Sequence, residues 1–371
     1  MLHVAQLSFF SDPSGRRPEE LLKAWPSLGD VAECATAANL EVSVIQASTH
    51  LQEMCRNNVH YYFLPFGNAT PARRLSSDLT VLLDELQPEV IHVHGLGFPR
   101  DVVALARISR GVPIVLQDHA DSVPRLWHRP SWKRGFDVSA GVAFCSRAQA
   151  RPFHSAGLLG PRTRVYEIPE STSRFMPGDR ERARRELDIG GDPLVVWVGH
   201  LNGNKDPLTV LDGISKAART LHGLKLYCCY GSAPLLQAVQ RRVARDPVLH
   251  NRVQLMGRLP HARIERLMQA ADLYVLGSHR EGSGYSLLEA LACGVVPVVT
   301  DIPSFRSLTA SGAVGALWPV GDSDALCSAL LRVARQLSPL SRRITRAHFD
   351  RKLSFDAVGV KLKQMYEDVQ Q

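Results

Sequence analysis

Two carboxylates, Glu281 and Glu289, bracket the segment EGSGYSLLE, in which glycines stand at positions 282 and 284. Glycine adopts backbone conformations that other residues resist, so the main-chain amides here can be directed at a ligand while residues 286–292 form a helix. The amino end of a helix favours a phosphate. Carboxylates on either side accept hydrogen bonds from hydroxyl groups. The spacing therefore indicates a ligand with two separated sets of hydroxyls and a phosphate between them, and a nucleotide sugar has that shape.

The neighbouring sequence supplies elements that would position this segment. LYVLGS (273–278) is typical of a buried strand and VVPVVTD (295–301) of the next one. The carboxylates would then follow the carboxyl end of a strand, where ligands of open parallel sheets bind. A glycine turn before an amphipathic helix also occurs without such a ligand, and for the pair alone this structural alternative stays open.

The stretch HREGSGYSLLEALACGVVPVVTDIPSFRSL (279–308) resembles the donor-binding segment of the family 4 retaining glycosyltransferases, which have the GT-B fold. WVGHLNGNKDPLTVL (197–211) and MGRLPHARI (256–264) extend the resemblance, which covers most of residues 90–371 and weakens toward the amino terminus. It implies a hexosyltransferase that moves a hexose from a nucleoside diphosphate sugar to a hydroxyl of a glycan, lipid-linked or small-molecule acceptor. The resemblance further implies retention of configuration and no metal.

The same resemblance assigns residues to the donor. Glu289 matches the family glutamate that binds the ribose hydroxyls, Glu281 the one at the donor-sugar end, and Lys205 the lysine that contacts the diphosphate. Glu281 is also an expected catalytic residue. The other expected contacts are Gly282 and Ser283 with the sugar, Gly284, Tyr285 and Ser286 with the diphosphate, and Gly257, Arg258 and Leu259 with the ribose and base.

Position 200 departs from the family pattern, because His200 stands where an arginine is usual. Arginine is a permanently charged fork, whereas histidine is only partly charged near neutral pH. We still expect His200 to donate to a phosphate oxygen, in a weaker or pH-sensitive clamp. Two alternatives stay open: a sugar-nucleotide epimerase of the GT-B fold that hydrolyses its donor, and a non-catalytic nucleotide-binding protein, to which this substitution gives weight.

Histidines stand at strand ends in the N-terminal half. His119 in LQDHADS matches a family histidine near the donor sugar and the catalytic centre, and it is the second expected catalytic residue. We interpret the alternation of His92 and His94 in IHVHG as placing them on opposite strand faces, which excludes a simple two-histidine metal grip. His94, nearer the strand end, is a candidate for acceptor binding.

The loop SDPSGRRPEE (11–20) departs from the glycine-rich acceptor loop usual in the family. It can receive an anionic acceptor or an anionic lipid surface, with a solvated loop as the alternative. The candidate residues are Ser14, Gly15, Arg16 and Arg17.

Length and strand pattern indicate two domains. The 371 residues are 45% hydrophobic, enough for two cores. Strand candidates alternate with helical patterns, which predicts an α/β chain of the GT-B class: two Rossmann-like, doubly wound parallel-sheet domains facing across a cleft. We expect an acceptor-binding domain at 1–170, a nucleotide-sugar-binding domain at 171–352 and a helix at 353–371 that packs back on the first domain. The linker is predicted at 166–179. The strand candidates are 2–10, 40–48, 90–95, 113–119, 140–146, 193–200, 224–231, 252–257, 273–278 and 295–300.

Charge and composition bound the partners. A net charge of +8 admits nucleic acid, an anionic membrane or a phosphorylated ligand. The arginines are scattered and nucleic-acid motifs are absent from the sequence, so we expect no nucleic acid, and a nucleotide-sugar donor with a glycan or lipid-linked acceptor. UDP-sugars and GDP-mannose both fit as co-substrates, and no cofactor is expected. Asp322 and Asp324 in GDSDAL, the single Asp-x-Asp pair, predict a helix cap rather than a metal site.

The predicted location is the cytoplasm, with peripheral contact at the inner membrane face. No run reaches the roughly 18–20 apolar residues of a transmembrane helix, and MLHVAQLSFF lacks the features of a signal peptide. The seven cysteines have no CxxC spacing, which is typical of buried thiols in a reducing compartment.

Overall fold

The computed structural model describes residues 1–65, 77–161 and 163–371. This part of the chain divides into two compact units. Unit 1 consists of Met1–Thr172 and Phe355–Gln371, and unit 2 is Ser173–Ser354. Unit 1 is therefore discontinuous in sequence, and unit 2 is inserted in it.

Unit 1 is built on an eight-stranded sheet in the order β3-β4-β2-β1-β5-β6-β7-β8. Neighbouring strands are parallel except for the β3–β4 pair. The strands are β1 His3–Ser8, β2 Glu41–Ser48, β3 Gln52–Arg56, β4 Val59–Pro65, β5 Val90–His94, β6 Ile114–Gln117, β7 Gly141–Phe144 and β8 Arg164–Glu167. The helices are α1 Pro18–Ala24, α2 Pro26–Ala37, α3 Ser77–Leu86, α4 Pro99–Ile108, α5 Arg129–Asp137 and α6 Arg151–Ser155, with 3-10 turns at Leu126–His128 and Arg147–Ala150.

A hydrophobic core lies on each face of this sheet. Successive residues of one strand enter opposite cores: Val4 packs in one and Ala5 in the other, and Val44 and Ile45 divide in the same way. Because both faces are covered, the central strands are continuous apolar runs rather than alternating ones.

The last helix of the chain, α16 (Phe355–Val369), completes one of these cores. Its apolar residues at helical spacing, including Val358, Leu362 and Met365, share a core cluster with Val31 of α2. At Gly359 a Cβ atom would meet the carbonyl oxygen of Cys34 at 2.1 Å, so the close approach of α16 to α2 requires glycine.

Unit 2 has a six-stranded, wholly parallel sheet in the order β11-β10-β9-β12-β13-β14. Its strands are β9 Leu194–Gly199, β10 Lys225–Tyr230, β11 Val253–Gly257, β12 Leu273–Leu276, β13 Val296–Thr300 and β14 Ala316–Trp318. Its helices are α7 Arg180–Leu187, α8 Pro207–Ala217, α9 Leu236–Arg245, α10 Pro247–His250, α11 His261–Ala270, α12 Tyr285–Ala292, α13 Pro303–Leu308, α14 Ser323–Gln336 and α15 Pro339–Lys352.

Each sheet has a point at which the strand order reverses. In unit 1 the chain runs from β1 outward through β2 and then returns to β5 on the other side of β1. In unit 2 it runs from β9 through β10 and β11 and returns to β12 on the other side of β9. Loops that leave neighbouring strands at such a switch point diverge, and the crevice between them is the usual ligand position in doubly wound sheets.

The ten predicted strands are confirmed, and the doubly wound parallel arrangement of each sheet with them. Four further strands, β3, β4, β8 and β14, were not predicted. The observed β8 crosses the start of the linker predicted at 166–179, and the two units divide between Thr172 and Ser173.

Candidate functional site

The loops after β9 and β12 meet at the switch point of unit 2. The side-chain amide of Asn204 donates to the carbonyl oxygen of Arg280 at 2.9 Å, and its oxygen accepts the Arg280 backbone N–H at 3.1 Å. The backbone N–H of His279 donates to the Asn204 carbonyl at 2.8 Å. These bonds tie the loop that carries Lys205 to the loop that carries Glu281.

Lys205 and Glu281 form an ion pair. Their side chains are 15% and 11% exposed, so the pair lies in a partly desolvated place where charge interactions are stronger than in water. The structure thus brings together two residues that the sequence assigned to adjoining parts of one ligand. A lysine ammonium has three donors and the carboxylate occupies one of them, which leaves donors for a phosphate oxygen.

Helix α12 begins at Tyr285, one residue before the predicted start, and Gly284 precedes it with φ +77. A Cβ atom at Gly284 would meet the Phe305 ring at 2.7 Å, so this turn is built for glycine. The first turn contains no acidic side chain and Gly284 provides no side-chain cap. Because the residue before the helix has no side chain to cap it, the backbone amides at the start of α12 can face an anionic group such as a phosphate.

Ser286, expected at the diphosphate, is held by a tyrosine. The hydroxyl groups of Ser286 and Tyr274 lie 2.7 Å apart, and Tyr274 is wholly buried in β12. Sequence reasoning missed Tyr274 because in LYVLGS it looks like an ordinary core residue. Gly282, Ser283 and Tyr285 lie in the same turn, with Ser283 buried and Tyr285 exposed.

Glu289 lies on α12 and is paired with a histidine that sequence reasoning gave no role. The Nε2 atom of His261 lies 2.7 Å from Oε1 of Glu289, and the His261 ring lies 4.6 Å from that of Phe175. His261 begins α11, and Pro260 alone separates it from the segment Gly257–Leu259 expected at the base. Gly257 has φ +68 and Arg258 is exposed. The only signal in the sequence was the position of His261 in MGRLPHARI.

His200 is exposed in the loop after β9, with a defined ring orientation. Its Nδ1 atom accepts the backbone N–H of Ser232 at 3.2 Å. In the neutral ring the proton therefore sits on Nε2. His200 can donate one hydrogen bond from Nε2 whether or not it is charged, but without the fork geometry of an arginine.

A chain of titratable side chains, the histidine cluster (His92, His94, His119 and Glu170), lies near the switch point of unit 1. His119 Nδ1 is 2.8 Å from a Glu170 oxygen, and His119 Nε2 is 3.1 Å from His94 Nδ1. The rings of His94 and His92 have centroids 4.5 Å apart. The prediction that His92 and His94 point to opposite faces was wrong, because strand residues two apart share a face.

Protonation is unequal along this cluster. Burial lowers the pKa of His119, but the hydrogen bond and charge of Glu170, with Asp121 and Asp118, outweigh it, so the pKa is raised. Burial and the neighbouring histidines hold the pKa of His94 well below its usual range. Burial lowers the pKa of His92 to about 3. Within the cluster, a proton is therefore favoured most on His119, beside the Glu170 carboxylate.

The loop predicted to receive an anion is folded around Asp12. The Asp12 carboxylate accepts backbone N–H groups of Ser14 and Arg16 at 3.1 and 3.0 Å and the Arg16 guanidinium at 3.1 Å. Gly15 has φ +60 in this turn, and Arg17 directly precedes α1. Burial raises the pKa of Asp12, but these hydrogen bonds and the Arg16 charge outweigh it, so the pKa is lowered. The Asp12 carboxylate thus already binds the backbone amides of Ser14 and Arg16 that an external anion would need.

Asp322 caps α14, as its sequence predicted. Its carboxylate accepts the backbone N–H groups of Asp324 and Ala325 at 3.0 and 2.9 Å, and Asp324 binds Lys216 at 2.7 Å. Within residues 1–65, 77–161 and 163–371, no group of three His, Cys, Asp or Glu side chains is arranged to hold a metal ion. Over the same ranges, no helix combines the length and apolar content needed to cross a membrane.

Known families and proteins resemble this chain. The family models that match are Glycosyl transferases group 1, at residues 179–348, and Glycosyltransferase Family 4, at residues 27–171. The GDP-mannose:cellobiosyl-diphosphopolyprenol alpha-mannosyltransferase of Xanthomonas campestris is 25% identical over 239 residues, or 62% of this chain and 60% of that protein. The phosphatidyl-myo-inositol mannosyltransferase of Mycolicibacterium smegmatis is 28% identical over 310 residues, or 76% of this chain and 71% of that protein. The chain thus spans about three fifths of the first relative.

Solved structures show the same fold. Anabaena HepE, in complex with UDP and glucose, superposes with a TM-score of 0.73 and 17% identity, covering 99% of this chain and 100% of that one. At that identity the likeness concerns the fold alone.

Proposed function

This chain belongs to the family 4 glycosyltransferases and has their GT-B fold, and from that premise we propose that it moves a hexose from a nucleoside diphosphate sugar to a hydroxyl acceptor, with retention of configuration and without a metal. The relatives named above are mannosyltransferases, and one is named for GDP-mannose as donor. Those names support a nucleoside diphosphate hexose as the donor.

One observation carries the proposal: the site at the switch point of unit 2 offers charge and amides in the order that such a donor needs. Lys205 lies beside Glu281, the start of α12 follows with no acidic side chain in its first turn, and Glu289 stands further along that helix. The diphosphate would lie at the helix start against Lys205, with His200 Nε2 as a further donor. Glu281 would accept hexose hydroxyls and Glu289 the ribose hydroxyls.

In the proposed chemistry the diphosphate is both the leaving group and the acceptor of the proton. The bond from the anomeric carbon to the phosphate oxygen breaks, the acceptor oxygen bonds to that carbon on the same face, and the acceptor proton passes to a diphosphate oxygen. Negative charge grows on the diphosphate during this step, and pre-oriented donors stabilise it. Lys205, His200 and the α12 amides are the groups proposed for that role, so no side-chain nucleophile is required.

The experiment measures donor binding and turnover in the wild type and in Glu289→Ala. Thermal unfolding with a panel of UDP- and GDP-hexoses should show one that stabilises the wild type, because a ligand of the folded state stabilises by mass action. Loss of a half-buried carboxylate proposed to bind the ribose should weaken that donor about ten- to a hundredfold. The control is Asp324→Ala, an exposed carboxylate of the same unit, which should keep wild-type affinity.

Four results would contradict the proposal. Undiminished affinity in Glu289→Ala would remove the assigned ribose contact, and no stabilisation by any donor would remove the donor itself. A donor that binds without being consumed, or that is hydrolysed at the same rate with every acceptor, would replace transfer with binding or with epimerase-like hydrolysis.

A further inference from the structure

A cavity of about 310 Å³ opens at the switch point of unit 1. It lies among the loops that follow β1, β5 and β6, with His94 and His119 in its lining. Its volume is at the lower end of the range for small-molecule sites, enough for a monosaccharide with one aryl or alkyl substituent. The four candidate acceptor-binding residues of the loop at 11–20 do not line this cavity.

One end of the cavity is polar and incompletely satisfied. Gln46 is 1% exposed, and its Nε2 group donates to the carbonyl oxygens of Phe10 and Ala47 at 2.6 and 2.8 Å. Its Oε1 atom has no hydrogen-bond partner among the residues that the structure describes. A buried acceptor without a partner costs free energy, which a hydroxyl donor from a ligand would recover.

The other wall is apolar and aromatic. Phe10 is 51% exposed, and its ring lies 5.6 Å from that of Trp25. Leu28 and Phe98 complete this wall. Flat aromatic surface of this kind gains most from covering a ring or an alkyl group.

The charge of the lining disfavours an anion. Among the described residues that line the cavity there is no lysine or arginine, and Asp121 contributes a carboxylate. Of the two arginines in the loop at 11–20, neither lines the cavity, and Arg16 is paired with Asp12 at 3.1 Å. A phosphorylated acceptor would therefore meet no lysine or arginine among the described lining residues, and His119 is already paired with Glu170.

We propose that this cavity takes a neutral acceptor that lays an aromatic or alkyl group against Phe10 and Trp25 and donates a hydroxyl hydrogen to Gln46. This inference rests on the proposed function, because the compound in the cavity is an acceptor only if the protein transfers a sugar to it. The preference of the cavity for one class of compound can be measured without transfer. The chemical class is a neutral hydroxyl compound with a hydrophobic substituent, such as an aryl or alkyl glycoside, and sugar phosphates are disfavoured.

The test measures binding of three probes by calorimetry without any donor: phenyl β-D-glucoside, glucose and glucose 6-phosphate. The phenyl glucoside should bind at least about tenfold more tightly than glucose, since it covers the aromatic wall. Glucose 6-phosphate should bind no more tightly than glucose. In Phe10→Ala the advantage of the phenyl group should fall to less than about threefold. Trp127→Ala, an exposed aromatic of the same unit outside the cavity, should keep it.

Opposite results overturn the inference. Tighter binding of glucose 6-phosphate would make the acceptor anionic, and an unchanged preference in Phe10→Ala would place the phenyl group elsewhere. Donor turnover by a protein that shows no preference for the phenyl probe would overturn this inference and leave the proposed function standing. A protein that prefers the phenyl probe but binds no donor would overturn only the proposed function.

Discussion

Glu170 is the residue that most strongly favours a proton on His119. Its carboxylate lies 2.8 Å from His119 Nδ1, and burial alone would lower the pKa of that imidazole. Since the pKa is raised in the folded protein, the pair stabilises the fold below the pKa of an unfolded histidine. That contribution is lost as pH rises through the folded pKa.

The Glu170→Gln variant should lower the pKa of His119. Burial would then oppose the proton, with Asp118 and Asp121 still favouring it. If transfer uses protonated His119, the alkaline limb of kcat/KM against pH should move to lower pH. Imidazole NMR titration reports the pKa directly. Glu167→Gln, on β8, should leave it unchanged, and an unmoved titration in Glu170→Gln would refute the pairing.

Sequence reasoning selected Lys205, Glu281 and Glu289, each of which lies in a motif with a local pattern. It missed the partners of two predicted site residues, since Glu170 is 51 positions from His119 and His261 is 28 positions from Glu289. Such pairs depend on which strands become neighbours, and no local spacing records that. The wrong prediction that His92 and His94 face opposite sides had another cause: side chains of a strand alternate at every residue, so residues two apart lie on the same side.

At the scale of elements, the turn before α12 depends on one glycine. Gly284→Ala would place a Cβ atom 2.7 Å from the Phe305 ring in a backbone with φ +77. We expect a loss of about 1–3 kcal/mol in the free energy of unfolding, with weakened donor binding because the helix start moves. Gly190→Ala, where no atom lies within 4 Å, is the control. Denaturant titration of both variants measures the free energy of unfolding. A loss in Gly284→Ala no larger than the loss in Gly190→Ala would show that the turn tolerates a side chain.

The elements found from sequence are those with strong periodicity. The buried parallel strands are apolar runs between turn signals, so they were predicted. The hairpin of β3 and β4 was missed although Asn57 and Asn58, both with positive φ, form a turn that such hairpins favour. β14 has only three residues, which is too short for any period to show.

At the scale of the whole molecule, α16 is fixed in unit 1 by a buried polar contact as well as by packing. The Tyr366 hydroxyl lies 2.8 Å from Nδ1 of His92 and accepts from Gln6 at 3.4 Å. Burial raises the pKa of Tyr366, so it stays a neutral phenol and donates to His92. A residue of the last helix thereby orients the His92 ring, which lies against that of His94.

The Tyr366→Phe variant should lose about 1–3 kcal/mol of stability, because it leaves a buried imidazole nitrogen without its donor. Val360→Ala, at an exposed position of the same helix, should change stability by less than about 0.5 kcal/mol. Unfolding by denaturant, followed separately for each unit by hydrogen exchange, should place the loss in unit 1. A loss confined to unit 2 would contradict the assignment of α16.

The insertion of unit 2 in unit 1 has a consequence for synthesis on the ribosome. All of residues 173–354 must be translated before α16 appears, which takes on the order of tens of seconds at about 5–20 residues per second. Throughout that interval the apolar face of α2 around Val31 and Ala35 has no covering helix. The nascent chain thus exposes a hydrophobic surface that chaperones can bind before translation ends. Unit 2, whose sequence is continuous, can finish folding first.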